Sequence, residues 1–517
     1  MIRTRIKIKI FMKGRRKLMK RSLLALLMAL VMVLPLFTSC GEKNGNKNNV
    51  GTSTSGSTDA VTEDPDAADN AKIDSYVKNL ASGVDYNGQT FTYIGREDDN
   101  FPTEEDVTGE LLSDAVYSRQ SSLEEIFGID WQNVITENGD ETHAKVNQEV
   151  QAGGSSYDLV YGSMLTVGQK LLNQNTIMDV SNFDKIDISQ EWWVSSMSDT
   201  YYIKDMLFFL TGPIVTNHFG DTACVLFNKD VANNYNVTGL YDLVKNGEWT
   251  FDKMFEVAEA VPANTSGAGA YRYGQPGGVQ WIFADGMNIT KFDDDGVPYV
   301  EKTLPVELSN LADKMSKVFG DDTLTCLARW YGSKQETVET KYGTKNLSDL
   351  FIDGNVLFWF DYTGGVSAFR EDDVEFGVLP LPKGNTSLSY CSYADPWRGG
   401  AVYIPKTVRD TEMVDTIVEA MAALSQKYLK PAFYDKMLKG RSVYDSESRE
   451  MIDIVFNTKV YDLIDIFSDG DMNQWGEFMT LLDNSIKNES SGLASGYASL
   501  AKLTNMKMTN KAKKLGK

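Results

Sequence analysis

Only two histidines, His143 and His218, occur in the 517-residue chain, so nucleophilic triads and His-based metal sites have little to be built from. The sequence contains no G-x-S-x-G turn, phosphate-binding glycine loop or H-E-x-x-H segment. The residues that could do chemistry are of another kind: aromatic rings beside carboxylates and guanidinium groups. Arg96-Glu97-Asp98 follows the alternating run Gln89–Gly95, Tyr161-Gly162-Ser163 follows Leu159-Val160, and Asp361-Tyr362 follows the apolar run Val356–Phe360. Trp281 comes after the Gly277-Gly278 pair and before Asp285, and Asp395 precedes Trp397-Arg398 in a loop that leads into a strand. Such a set suits reversible binding: a ring takes the apolar face of a small molecule, and charged or amide groups take its polar rim. In parallel sheets ligands lie beyond the carboxyl ends of strands, which is where most of these loops fall.

For Tyr161, Trp281, Asp361 and Trp397 contact with a ligand is the expectation, and Glu97, Tyr362 and Arg398 complete the candidate set. Arg96 and Arg398 could equally form surface ion pairs. Trp359 lies within its strand, where core packing competes with ligand contact. Trp192 and Trp193 are adjacent and cannot share one helical face, so at most one is expected to be buried. Trp131, Trp249 and Trp475 read as packing residues. The aspartates of Asp293–Gly296 and of Asp469–Asn473 lack the remaining spacing of a calcium loop and read as plain turns. No metal site and no cofactor are expected.

The elements that must position these residues alternate. Strand patterns at Gln89–Gly95, Ile129–Ile135 and Ser156–Gly162 are separated by helical spacing over Glu110–Phe127 and Thr142–Gln151, and a helix follows over Leu165–Leu172. Alternating strands and helices imply a mostly parallel sheet with helices on its faces. Further strands are expected at Asp205–Leu210, Thr222–Asn228, Val356–Phe360, Glu375–Lys383 and Ala401–Pro405, with a lobe-to-lobe crossing near Thr211–Asp221. Thr250 reads as the N-cap of a helix that runs toward Val261, and Leu311–Phe319 as a helix. From Glu412 the pattern is helical, and Lys502–Lys517 reads as a solvated tail.

Composition narrows the partners. Ten of the 51 Lys and Arg lie in the first 39 residues, which hold no acid, so the remaining 41 bases face 72 acids, a net of −31. That surface repels phosphate backbones and argues against nucleic-acid binding. The basic start, the apolar run Leu23–Val33 and the small residues before Cys40 form a secretory signal. The Gly, Asn, Ser and Thr-rich stretch after Cys40 buries too little to order itself and reads as a tether, with folding expected to begin near Tyr86. Cys224, Cys326 and Cys391 are an odd set without metal spacing and read as buried free thiols.

Leu36-Phe37-Thr38-Ser39-Cys40 resembles a bacterial lipobox, which implies a lipid on Cys40. Taken with SYDLVYGS at Ser156–Ser163, GEWTFDKM at Gly247–Met254, GNVLFWFDYTGG at Gly354–Gly365 and VEFGVLPLPK at Val374–Lys383, the chain resembles an extracellular solute-binding lipoprotein of a bacterial ABC importer, of the large sugar-binding type. The resemblance spans nearly the whole mature chain. It implies an α/β class fold of the type II periplasmic-binding-protein kind: two lobes, each a mostly parallel sheet flanked by helices, with a helical C-terminal portion. Mapped here, residues 1–39 are the signal, 40–70 the tether, 71–214 with 375–429 one lobe, and 215–374 with 430–517 the other. The long C-terminal helical portion and the stretch Gln335–Asn346 depart from the family pattern. It further implies a monomer on the outer face of the cell membrane, held there by its lipid. It would bind a carbohydrate, expected to be an oligosaccharide, between the lobes and deliver it to permease subunits without catalysis. Two alternatives stand beside this: a surface glycan-degrading enzyme using two carboxylates, and a binder of a cationic ligand such as a polyamine or peptide, which the acidic balance would suit.

Overall fold

The computed structural model describes residues 67–515 outside short internal stretches, the longest being 102–110, 327–336, 439–445 and 466–473. All of them belong to one compact unit, Asp64–Lys517. The expectations for the signal, Cys40, Glu97 and the aspartates of 469–473 lie outside the described residues. Among the described residues no helix is long and apolar enough to cross a membrane.

Two sheets organise the chain. The first contains β1 (Gln89–Arg96), β2 (Ile129–Thr136) and β3 (Leu159–Ser163), all parallel, with Gly400–Tyr403 added antiparallel to β3. The second contains β4 (Ala223–Asn228) and β5 (Tyr271–Gly274), together with Phe376–Leu379, Val356–Tyr362 and Thr325–Cys326. There β4 runs against both of its neighbours and the other four strands are parallel. Helices cover the sheets, as the alternating pattern requires. The strands β4 and Val356–Phe360 are buried throughout, which explains their continuous apolar runs rather than alternation. In each sheet the strand of opposite sense follows directly on a connection between the sheets. Its first residues therefore meet the carboxyl ends of the parallel strands: Gly400 pairs with Ser163, and Ala223 with Tyr362.

The connections run side by side. Thr222 bridges Ala394 in antiparallel fashion, the Asp395 amide donates to the Asp221 carbonyl (2.9 Å), and Ser392–Tyr393 pairs with Lys459–Val460. The continuous helix Thr411–Leu438 then lies along Leu111–Phe127 of the first sheet's flank. Its later residues Leu429, Phe433 and Tyr434 join a cluster with Phe219, Ile452 and Val455 of the second.

Several expectations need correcting. Phe376–Leu379 pairs with β4, so the expected boundary at 375 assigns it to the wrong sheet. The boundary at 429 falls inside a helix rather than in a linker. Asp205–Leu210 is no strand: Lys204 and Asp205 sit at positive φ in a tight turn, with Ile203 bridging Met206. Ordered structure starts before Tyr86, with a helix at Ala67–Leu80 that buries Ile73 and Val77. Lys502–Lys514 is no solvated tail but the end of the helix Leu493–Lys514, with Thr504, Met508 and Ala512 buried. Gln335–Asn346 includes a hairpin, Thr337–Thr340 with Gly343–Asn346.

Other readings hold. Thr250 caps the helix Phe251–Ala258, its side chain accepting from the Lys253 amide (3.2 Å). Trp249 is fully buried and Trp131 stacks on Phe91. Asp293–Gly296 turns a hairpin between Thr290–Phe292 and Pro298–Val300. Cys224 and Cys326 are buried free thiols, and Cys391 is a half-buried one.

Candidate functional site

The two sheets turn the carboxyl ends of their parallel strands toward the shared connections. On the first sheet's side stands Tyr161, near the end of β3 and almost fully buried. A side chain at Gly95 or Gly400 would run into its ring, at 2.9 and 2.8 Å from the nearest ring atoms, so those glycines let the neighbouring strands close over it. Burial pushes the Tyr161 hydroxyl well above the usual phenol range, and the neighbouring Asp98 carboxylate adds to this. It stays protonated and donates to Asn217 Oδ1.

Asn217 belongs to the single turn Thr216–Phe219 of the first connection. Its Oδ1 also accepts from Asn100 Nδ2 (3.1 Å), and its own Nδ2 donates to the Arg398 carbonyl (3.3 Å). Asn100 is anchored in turn by Asp98 Oδ1 and by the Thr216 amide, which donates to Asn100 Oδ1 (2.8 Å).

Asp361 and Tyr362 close the Val356–Tyr362 strand on the second sheet's side. Asp361 Oδ1 accepts the Tyr362 amide (2.7 Å) and Oδ2 the Trp359 indole (3.3 Å). Burial pushes the Asp361 carboxyl upward, while those bonds and the Arg398 charge oppose the shift. A Cβ at Gly365 would meet the Asp361 carboxylate at 2.4 Å, so any larger residue there would push that carboxylate aside. The Arg398 guanidinium lies over the Tyr362 ring, 4.8 Å from its centre, and 3.8 Å from Asp395 Oδ2. Trp397 stands out at 61% exposure, its amide held by Asp395 Oδ1 (2.9 Å) and its carbonyl by Ser163 Oγ (3.3 Å).

The structure therefore brings Tyr161, Asp361, Tyr362, Trp397 and Arg398 to one region. Trp281 is not among them. A short helix, Gln280–Ala284, turns it inward, stacked on Phe319 (5.3 Å) and edge-on to Phe360 (4.8 Å). The adjacent Gln280 lines a small cavity of about 30 Å³ instead, together with Asp361, Tyr362 and Asp483. That volume suits a water molecule rather than a sugar ring. Trp359 is buried, so the core reading of that residue prevails.

Trp192 and Trp193 also depart from expectation, since both are buried. They lie outside any helix, and their indoles reach opposite oxygens of Glu419 at 2.9 and 3.0 Å.

Residues without a periodic signature complete the region. Beneath the Asp395–Gly399 loop, Asp221 is wholly buried with Lys459 Nζ 2.5 Å from its Oδ1. Tyr461 donates to Oδ2 (3.0 Å) and Thr222 to Oδ1 (2.9 Å). His218, beside Lys459, is held well below its usual range by burial first and then by the Lys459 and Lys430 charges. A lone acid at the head of the apolar run ACVLFN was the available signal for Asp221; Asn217 had none. Among the described residues no group of three or more His, Cys, Asp or Glu could hold a metal ion.

Comparison with known proteins gives the chain's family and its fold. The family model of bacterial extracellular solute-binding proteins matches residues 122–427, more than half of the chain. Solved structures of similar fold include an extracellular solute-binding protein from Staphylococcus aureus in complex with maltose. It is 11% identical, with 83% of this chain and 99% of that chain covered at TM-score 0.52. UspC from M. tuberculosis is 11% identical, with 81% and 100% covered at TM-score 0.52. The sugar-binding protein MalE from Xanthomonas citri is 12% identical, with 82% and 98% covered at TM-score 0.51. No curated protein matches the sequence.

Proposed function

The chain belongs to the bacterial extracellular solute-binding proteins, and from that we propose that it is the substrate-binding component of an ABC importer, taking a carbohydrate between its two sheets. The observation that carries this reading is the convergence of Tyr161 from one sheet and Asp361 and Tyr362 from the other, joined through Asn217 and Arg398 of the connections. A pyranose offers an apolar C–H face and a hydroxyl rim. Tyr362 and the exposed Trp397 supply rings for the face, and Asp361, Asp395 and Arg398 supply bonds to the rim. The structure of a sugar-bound S. aureus protein of the same fold supports this choice of ligand. The ligand is an oligosaccharide, which the halves admit by parting at the connections and hold by closing. Cys40 carries the lipid that keeps the monomer on the outer membrane face, where it meets the permease.

The test is a thermal-shift screen of the mature protein against mono- and oligosaccharides. Binding to the folded state raises the melting temperature by mass action, by about 2.7 kcal/mol of stability at a hundredfold excess over Kd. A selective upward shift with unaltered sugar recovered afterwards is expected. No shift across the panel, or release of new reducing ends, overturns the proposal.

A further inference from the structure

Asn217 faces Tyr161 and Arg398, but its neighbours His218 and Phe219 face elsewhere. They line a cavity of about 450 Å³ on the other side of the same connection. This is within the range of small-molecule sites, and far larger than the space against Asp361. Its apolar walls are rings from separate elements: Trp193, Phe219, Tyr434 and Phe456. Phe456 packs edge-on against Phe219 (5.9 Å) and Tyr434 (6.2 Å), so these walls are fixed by one another.

The charges around the cavity divide unequally. Lys459 is neutralised by Asp221, and Glu191 by Lys72 (2.9 Å). His218 is held neutral. Two charged groups of the lining have no ion pair among the described residues: Lys430, and Asp453, which accepts only the Tyr434 hydroxyl. A cation and an anion left unpaired beside an aromatic enclosure call for an occupant that is both anionic and cationic, with an apolar body.

We propose that this cavity is a second ligand site, for a free α-amino acid with an aromatic side chain. Its carboxylate would meet Lys430, its ammonium Asp453, and its ring the space between Trp193, Phe219 and Phe456. The site is separate from the carbohydrate region and does not rest on that assignment. It involves no covalent step.

The experiment is calorimetric titration of the mature protein with L-phenylalanine. N-acetylphenylalanine lacks the cation, phenylalaninamide lacks the anion, and glycine lacks the ring. Charge-assisted contacts of this kind each correspond to about tenfold or more in affinity. L-phenylalanine is expected to bind, and each of the three analogues to bind at least about tenfold more weakly. Lys430→Gln and Asp453→Asn should each lose a similar factor, while Lys430→Arg retains binding. Far-ultraviolet circular dichroism and melting confirm that each variant is folded. Absence of heat with L-phenylalanine, equal binding of the analogues, or unchanged affinity in folded Lys430→Gln and Asp453→Asn each overturns the assignment.

Discussion

The Arg398 guanidinium lies 4.8 Å from the centre of the Tyr362 ring, so a residue leading into the first sheet covers the face of one that closes a strand of the second. The contact is a cation over a π-face, worth about 0.5–2 kcal/mol according to exposure. Arg398 also lends its carbonyl to Asn217, whose Oδ1 takes the Tyr161 hydroxyl. One residue thus reaches one sheet through its backbone and the other through its side chain. Any ring stacked on Tyr362 must share or displace that guanidinium.

Tyr362→Ala is expected to weaken oligosaccharide binding by about tenfold, since an aromatic contact contributes about 1.5 kcal/mol beyond its buried area. Arg398→Met keeps the apolar stem and uncovers the ring, so its effect should be smaller than that of Tyr362→Ala. Calorimetric titration of both variants reads the difference. Equal affinity for the wild type and Tyr362→Ala would take Tyr362 out of the site.

Much of this arrangement could be read in advance, and the failures have physical causes. β1 and β3 follow their apolar runs closely because both are buried, where pattern reports burial directly, while β2 lies at the sheet edge and is mostly exposed or half-buried. Tyr161, Asp361 and Tyr362 could be placed near strand ends because these are visible as the ends of apolar runs. Trp281 misled because proximity to a glycine pair says nothing of which way a five-residue helix turns its ring. Phe376–Leu379 went to the wrong sheet because strand pairing is a long-range choice that leaves no local trace. The helix Ala67–Leu80 was missed because only Ile73 and Val77, four apart, are buried in an otherwise polar stretch. Asn217 acts through three hydrogen bonds made across more than a hundred residues apart in two of its partners' cases, and such bonds carry no sequence period.

Glu419 predicts a pH dependence of stability. It lies fully buried and accepts Tyr76, Trp192 and Trp193 side-chain donors and the Asp187 amide. Burial outweighs these bonds and pushes its carboxyl up to about 7, against about 4.3 for an unfolded glutamate. The folded state therefore holds its proton more tightly than the unfolded chain. The associated stability is present in full below about pH 4.3 and is lost as pH rises through about 7. The unfolding free energy from denaturant titration should fall between pH 5 and pH 8, by an amount on the order of 3 kcal/mol from this group. Glu419→Gln, which has the shape of the protonated acid, should flatten the slope in that window. A slope identical to the wild type's would show that Glu419 titrates elsewhere.

The Asp221–Lys459 pair gives the sharpest test of what holds the connections together. Both side chains are buried, and Lys459 donates to the His218 carbonyl as well as to Asp221. Burial pushes the Asp221 carboxyl up and the Lys459 ammonium down, and the contact between them works against both shifts. The Asp395–Gly399 loop is seated directly on this pair: a Cβ at Gly399 would lie 2.9 Å from Asp221 Oδ2. Lys459→Met leaves an uncompensated buried carboxylate and is expected to cost about 3–5 kcal/mol in chemical denaturation. Removing both charges in Asp221→Leu with Lys459→Met should recover most of that loss, because no buried charge then remains unpaired. The double variant should still lose sugar affinity, since Tyr461 and Thr222 no longer share an acceptor beneath the loop that carries Arg398. A Lys459→Met variant as stable as the wild type would mean that neither side chain is charged in the folded protein, and the loop's position would then need another cause.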